Sequence, residues 1–125
     1  MSWNNIKRDP ADIAFSKYIR LKHKKCQRCG RVGEGNLGID GLQASHYKSR
    51  HKESVRFDFE NVDCLCVSCH KYFTDHPNEY DEWKIGQLGE KAYDLLILRA
   101  NTPCHKDRLM QKIIWTKLLK DDFGV

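Results

Sequence analysis

Two periods of apolar spacing run through the chain. Between residues 9 and 24, Ala14, Tyr18 and Leu21 recur at helical spacing. Asp9 stands where an N-cap belongs, and Pro10 suits the first helical position, so DPADIAFSKYIRLKHK predicts an amphipathic helix. The glycine-rich GRVGEGNLGIDG that follows reads as a turn or loop, and LQASHYKS as a short strand leading into a loop. In SRHKESVRFDFENV, Val55, Phe57 and Phe59 alternate, which predicts a strand edge. A helix is expected from about Val67 to Phe73, ending near Pro77. Three further helical segments follow, separated by Gly89 and by Thr102-Pro103. In the second of these Tyr93, Leu96, Ile97 and Ala100 mark an apolar face, and in the third Leu109, Ile113, Thr116 and Leu119 do. The helices from residue 77 onward are expected to be packing scaffold.

Length and composition narrow the class. A chain of 125 residues with 40% hydrophobic and 31% charged residues is expected to form one soluble domain, 1–125. No apolar run is long enough to span a membrane, so no membrane partner is expected. MSWNNIKRDPADIAF lacks the charged-then-apolar order of a secretion signal, and the expected location is the cytoplasm. The formal charge is +5, unevenly placed. Residues 1–69 hold 13 Lys and Arg against 8 Asp and Glu, while residues 70–125 hold 9 against 9. The excess cations share the half that carries most of the cysteines, which suits a phosphate-backbone partner.

Cysteine spacing changes the picture most. In a reducing compartment, six cysteines point to a metal rather than to three disulfides. Cys26-Gln-Arg-Cys29 and Cys66-Val-Ser-Cys69 are two C-x-x-C knuckles, each offering two thiolates on one tight turn. Together they predict a tetrahedral four-cysteine structural zinc site that closes residues 30–65 into a loop. Cys64 and Cys104 are left over and are expected to be small buried hydrophobes.

His46, His51 and Asn61 lie inside that loop, and His70 follows the last cysteine directly. On the first C-x-x-C, LQASHY around His46, ENVDCLC around Asn61 and CVSCH ending at His70, the sequence resembles the HNH endonuclease superfamily, also called His-Me finger or ββα-metal nucleases. The resemblance covers roughly residues 24–76. ASHYKS…VRFDFENV…C-x-x-C, with the helices after it, is similar to phage recombination nucleases of the NinG/Rap type. It implies an α+β fold: a small ββα-metal core at 24–76, an N-terminal helix, and a helical extension over 77–125. It implies His46 as general base, a role that a neutral imidazole can fill at pH 7. Asn61 would brace the loop and orient His46, since an amide both donates and accepts. His70 would bind a catalytic Mg²⁺ or another divalent ion. The residue before the base is commonly Asp or His in the family and ligates the metal; here it is Ser45, a poor ligand. Thr74, one turn after His70, is weak where some members carry histidine, and Asp40, His51, Asp75 and His76 are substitutes without pattern support. Lys48, Arg50, Lys52 and Arg56 surround the site as candidate DNA-phosphate contacts, with Arg56 steadying the scissile phosphate.

The function expected on these grounds is metal-dependent hydrolysis of DNA phosphodiesters by an endonuclease of phage or prophage type, in a bacterial host cell, with a place in recombination. Two other readings stand beside it. One is a zinc-dependent DNA-binding module without catalysis, favoured by Ser45. The other is a zinc-stabilised protein-interaction module.

Overall fold

The computed structural model describes residues 8–125. Its elements run α1 (Pro10–His23), β1 (Leu42–His46), β2 (Val62–Cys66), α2 (Val67–Asp75), α3 (Pro77–Leu88), α4 (Glu90–Ala100) and α5 (Arg108–Phe123). The expected α+β class is what is observed, with β1, β2 and α2 forming the ββα unit. β1 and β2 pair antiparallel, with Leu42 opposite Cys66 and His46 opposite Val62.

α1 begins as its sequence predicts. The Asp9 carboxylate accepts the Ala11 N–H at 2.9 Å, and Pro10 leads the first turn. Its buried face carries Phe15 and Ile19, which meet Leu42, Val62, Leu65 and, from α5, Trp115 and Leu119. Each such side chain contributes about 1.5–3 kcal/mol through burial. The face of α5 is a correction. Leu109 and Ile113 are exposed, and the buried positions are Trp115 and Leu119. The aromatic cluster at α1 decides this, with the Trp115 and Phe15 rings 4.6 Å apart between centroids.

Residues 53–59 form no strand edge. A short 3₁₀ turn spans Glu53–Val55, and the Phe57 and Phe59 rings fold onto Phe15, 5.6 and 6.0 Å away. Ring contact with Phe15, rather than strand pairing, sets the course of this segment. Ion pairs then tie it down. Glu53 accepts from both Arg56 and Arg108, which hold its carboxyl down at about 2, with the Arg108 hydrogen bonds the larger cause. A carboxyl depressed below its ordinary 4.5 contributes stability above that value and loses it as pH falls toward 2. Glu53→Gln should therefore flatten the acid side of the stability curve. Thermal midpoints measured from pH 5 down to 2 should fall less steeply in the variant than in the parent.

Behind the sheet lies a buried polar cluster. Lys84 on α3 and Asp63 on β2 are 0% and 1% exposed, with Nζ and Oδ1 2.8 Å apart. Tyr80 donates to the other Asp63 oxygen at 2.7 Å, and Gln87 bridges Lys84 and Asp63. Both Asp63 oxygens and the Lys84 ammonium have hydrogen-bond partners, so the pair anchors α3 to the sheet at little net cost. Asp63→Ala would strand the Lys84 ammonium and should cost about 3–5 kcal/mol. Adding Lys84→Met should recover much of that, and urea unfolding of the two variants reads the difference.

Candidate functional site

The four-cysteine cluster assembles as the spacing predicts. The Cys26, Cys29, Cys66 and Cys69 sulfurs all lie within 4.8 Å of one another. Cys29 Sγ and Cys66 Sγ are 3.7 Å apart. Four bonds of about 2.3 Å in a tetrahedron place sulfurs about 3.8 Å apart, so the donor set fits a thiolate-bound metal. The knuckle turns aim backbone N–H groups at sulfur, Cys29 N to Cys26 Sγ at 3.5 Å and Cys69 N to Cys66 Sγ at 3.4 Å. Cys66 ends β2 and is also the N-cap of α2. The metal site and the helix start are therefore one structure.

Arg28, between the first pair, donates to Cys69 Sγ at 3.5 Å and lies over the Tyr72 ring at 4.3 Å. A cation there offsets the negative charge of four thiolates. Cys64 stays out of the cluster as expected. Its backbone pairs with Gln27, and burial pushes its thiol up to about 12, so it is a neutral core residue. Cys104 corrects the expectation, since it is exposed.

His46 and His70 line one cleft of about 890 Å³. β1, the loop after it and α2 supply one wall, and α1 supplies the other through Asp12, Ser16 and Arg20, with Arg8 just ahead of the helix. The His46 ring Nε2 is 3.0 Å from the Arg56 carbonyl oxygen. A carbonyl only accepts, so Nε2 carries the proton and Nδ1 keeps a lone pair. Burial pushes the His46 pKa below its ordinary 6.5, against the opposing effect of that hydrogen bond. The imidazole is therefore neutral at pH 7, the state in which it can take a proton.

Asn61 is fully buried and spans the loop after β1. Its Oδ1 accepts Lys48 N–H at 2.8 Å, and its Nδ2 donates to the Lys48 and Val55 carbonyls at 3.0 Å each. Both ends of segment 48–55 are thus pinned by one side chain, next to the carbonyl that holds His46. His70, in the first turn of α2, is held through Nδ1, 2.6 Å from the Gln43 amide oxygen. That oxygen accepts, so His70 Nε2 is left with a lone pair. Burial lowers its pKa as well.

Three expected site residues stand elsewhere or are otherwise engaged. Ser45 points away from the cleft. It is 2% exposed, with its hydroxyl 3.1 Å from Tyr80 OH in the buried Lys84 cluster. Strand alternation explains this, because neighbours on β1 face opposite sides. Arg56 lines the cleft but is only 14% exposed and bound to Asp12 and Glu53, so its charge is already matched. Thr74 donates to the His70 carbonyl at 2.9 Å. Lys48 and Lys52 are not part of the cleft wall. Arg50 is, at 56% exposure and with a loose 3.8 Å approach to Asp12, and it keeps a guanidinium available for phosphate.

The α1 wall was not anticipated. Asp12, Ser16 and Arg20 repeat at four-residue intervals as a polar stripe on α1, and Arg8 just before the helix adds to it. Gln43, the partner of His70, carried no signal beyond its place on the strand. The cysteine cluster is the one group of three or more His, Cys, Asp or Glu placed to hold a metal among the described residues. Among the described residues the cleft brings together no such group, and its open ring nitrogens are His46 Nδ1 and His70 Nε2.

No curated protein and no solved structure matches the chain. Residues 26–75, which hold both knuckles, His46, Asn61 and His70, match the family model described as HNH endonuclease.

Proposed function

We propose that the protein is a metal-dependent DNA endonuclease. The single observation that carries this reading is the His46 arrangement: a neutral imidazole whose proton is committed to the Arg56 carbonyl, on a cleft shared with His70. His46 takes the proton of an attacking water at Nδ1. Arg50, Arg20 on α1 and Arg8 just before that helix attract and orient the DNA phosphates. Asn61 holds the loop behind the base. His70 offers Nε2 to a divalent ion, Mg²⁺ or another, which when bound would act as Lewis acid on the phosphate. The four-cysteine site holds structural zinc, favoured by its all-thiolate donor set. The chain is read as one nuclease domain, with 24–76 as its core. A place in phage recombination draws its support from the likeness of ASHYKS…VRFDFENV…CVSCH to NinG/Rap-type nucleases.

A second reading, a DNA-binding module without turnover, is favoured by the burial of Ser45 and the single histidine left for the ion. A cleavage panel separates the two. Zinc-loaded protein is incubated with supercoiled, branched and single-stranded DNA in Mg²⁺ or Mn²⁺. Nicking or cutting of at least one form is expected. Intact DNA throughout, with salt-sensitive binding retained, would establish the second reading instead.

A further inference from the structure

We propose that Asp12, on α1 and outside the matched segment, is a positioning residue for His46 that acts through Arg56. The inference rests on the reading of His46 as the base and extends it to a part of the chain that precedes the HNH core. The contacts form a continuous line. The Asp12 carboxylate is 9% exposed and receives Arg56 Nε at 2.9 Å on one oxygen and Nη2 on the other. Arg56 Nη1 reaches Glu53 at 3.0 Å and the Arg50 carbonyl at 3.4 Å. The backbone carbonyl of the same arginine accepts the His46 Nε2–H.

The physical argument concerns what holds that carbonyl still. Arg56 lies in a segment outside any strand pairing, after a single 3₁₀ turn. A loop carbonyl is a fixed acceptor only if the loop is fixed. Asn61 pins the loop from the sheet side, through Val55. Asp12 pins it from the α1 side, with a two-point grip on a planar guanidinium that sets orientation as well as distance. An α-helix capped at Asp9 and buried through Phe15 and Ile19 is a rigid mount for that grip. Without the Asp12 charge, Arg56 keeps only the contacts of Nη1 to Glu53 and the Arg50 carbonyl, and the loop is free to turn on its α1 side while Asn61 still holds Val55. His46 then loses its single acceptor, its proton distributes over both ring nitrogens, and Nδ1 is available as base only part of the time.

The experiment uses the full zinc-loaded chain and two readouts. Nitrogen-15 NMR of the imidazoles reports the His46 tautomer without reference to activity. Steady-state cleavage in Mg²⁺ reports kcat and KM separately. Wild type should show the Nε2–H tautomer alone. Asp12→Asn should shift His46 toward a mixture and lower kcat by about 10- to 100-fold with KM little changed, the scale of lost support behind a catalytic group. Asp12→Glu, which restores the carboxylate, should recover part of both. If Asp12→Asn fails to fold, Glu53→Gln, which removes the other carboxylate on Arg56, should move the tautomer in the same direction by less, and an unmoved tautomer there overturns the inference. A folded Asp12→Asn with the wild-type tautomer also overturns it, whether or not kcat falls. If wild type cuts no DNA but the tautomer follows Asp12, the nuclease reading fails and the positioning role stands.

Discussion

Removal of the metal from the four-cysteine site should unfold residues 26–75 at neutral pH. Far-UV circular dichroism during titration with a strong chelator should show loss of ordered structure, and added zinc should restore it. The size of the effect follows from two magnitudes. Structural zinc in small peptides binds with about 10–16 kcal/mol of apparent free energy. A domain of this length is stable by about 5–15 kcal/mol in total. The metal term is therefore comparable with the whole margin. The geometry points the same way. The site joins the first knuckle to the end of β2, and Cys66 both ligates and caps α2, so losing the ion releases the helix that carries His70. Cys66→Ser should act like the chelator. Cys104→Ser, at an exposed position, should change stability by no more than about 0.5 kcal/mol. Full circular dichroism signal in metal-free protein would refute the structural role of the site.

His46→Ala should lower the cleavage rate by about 10²- to 10⁴-fold, the usual contribution of a positioned general base. Binding should survive, because the cations proposed to meet phosphate, Arg8, Arg20 and Arg50, are elsewhere in the cleft wall. DNA affinity of the variant should keep the parent's dependence on salt. The pH profile supplies a second check, and its sign is fixed by burial. A base works when deprotonated. Burial lowers the His46 pKa from 6.5, so the neutral fraction persists to lower pH than for a free imidazole. The rate at constant metal should hold from pH 7 downward and fall on an acid limb centred below 6.5. An acid limb centred above 6.5, or a variant that cuts as fast as its parent, would remove His46 from this role.

Much of the architecture was legible in short stretches of sequence, for identifiable reasons. A C-x-x-C pair is a local device: two thiols on one turn need no distant information to be recognised. The start of α1 is local too, since Asp9 and Pro10 satisfy the free N–H groups of the first turn by themselves. The α2 start was readable because the second knuckle runs into it. Segment 53–59 misled because alternation of Val55, Phe57 and Phe59 records only that three side chains are apolar. That Phe57 and Phe59 fold onto Phe15 depends on a helix some forty residues earlier in the chain, and that Val55 packs with Leu96 and Ala100 depends on one some forty residues later. The buried face of α5 was misplaced for the same reason, its partners being the α1 aromatics.

The candidate site divides along that line. Resemblance to the HNH pattern, rather than residue type alone, singled out His46, Asn61 and His70 as candidates. Which charges are free to meet DNA was a tertiary matter. Arg56 and Arg50 are alike in sequence, yet Asp12 neutralises one and barely reaches the other. Ser45 adjoins the base in the chain and faces the opposite side of the sheet, because a strand alternates. Local spacing was enough to bring out the four-cysteine cluster and the start of α1, and resemblance to a family supplied the candidate base. Only the tertiary structure decided that α1 forms the far wall of the cleft, that Arg56 is held rather than offered, and that its carbonyl sets the His46 proton. Spacing along a chain specifies local hydrogen bonds and turn geometry, whereas charge pairing and burial are settled by residues that meet only after the chain has folded.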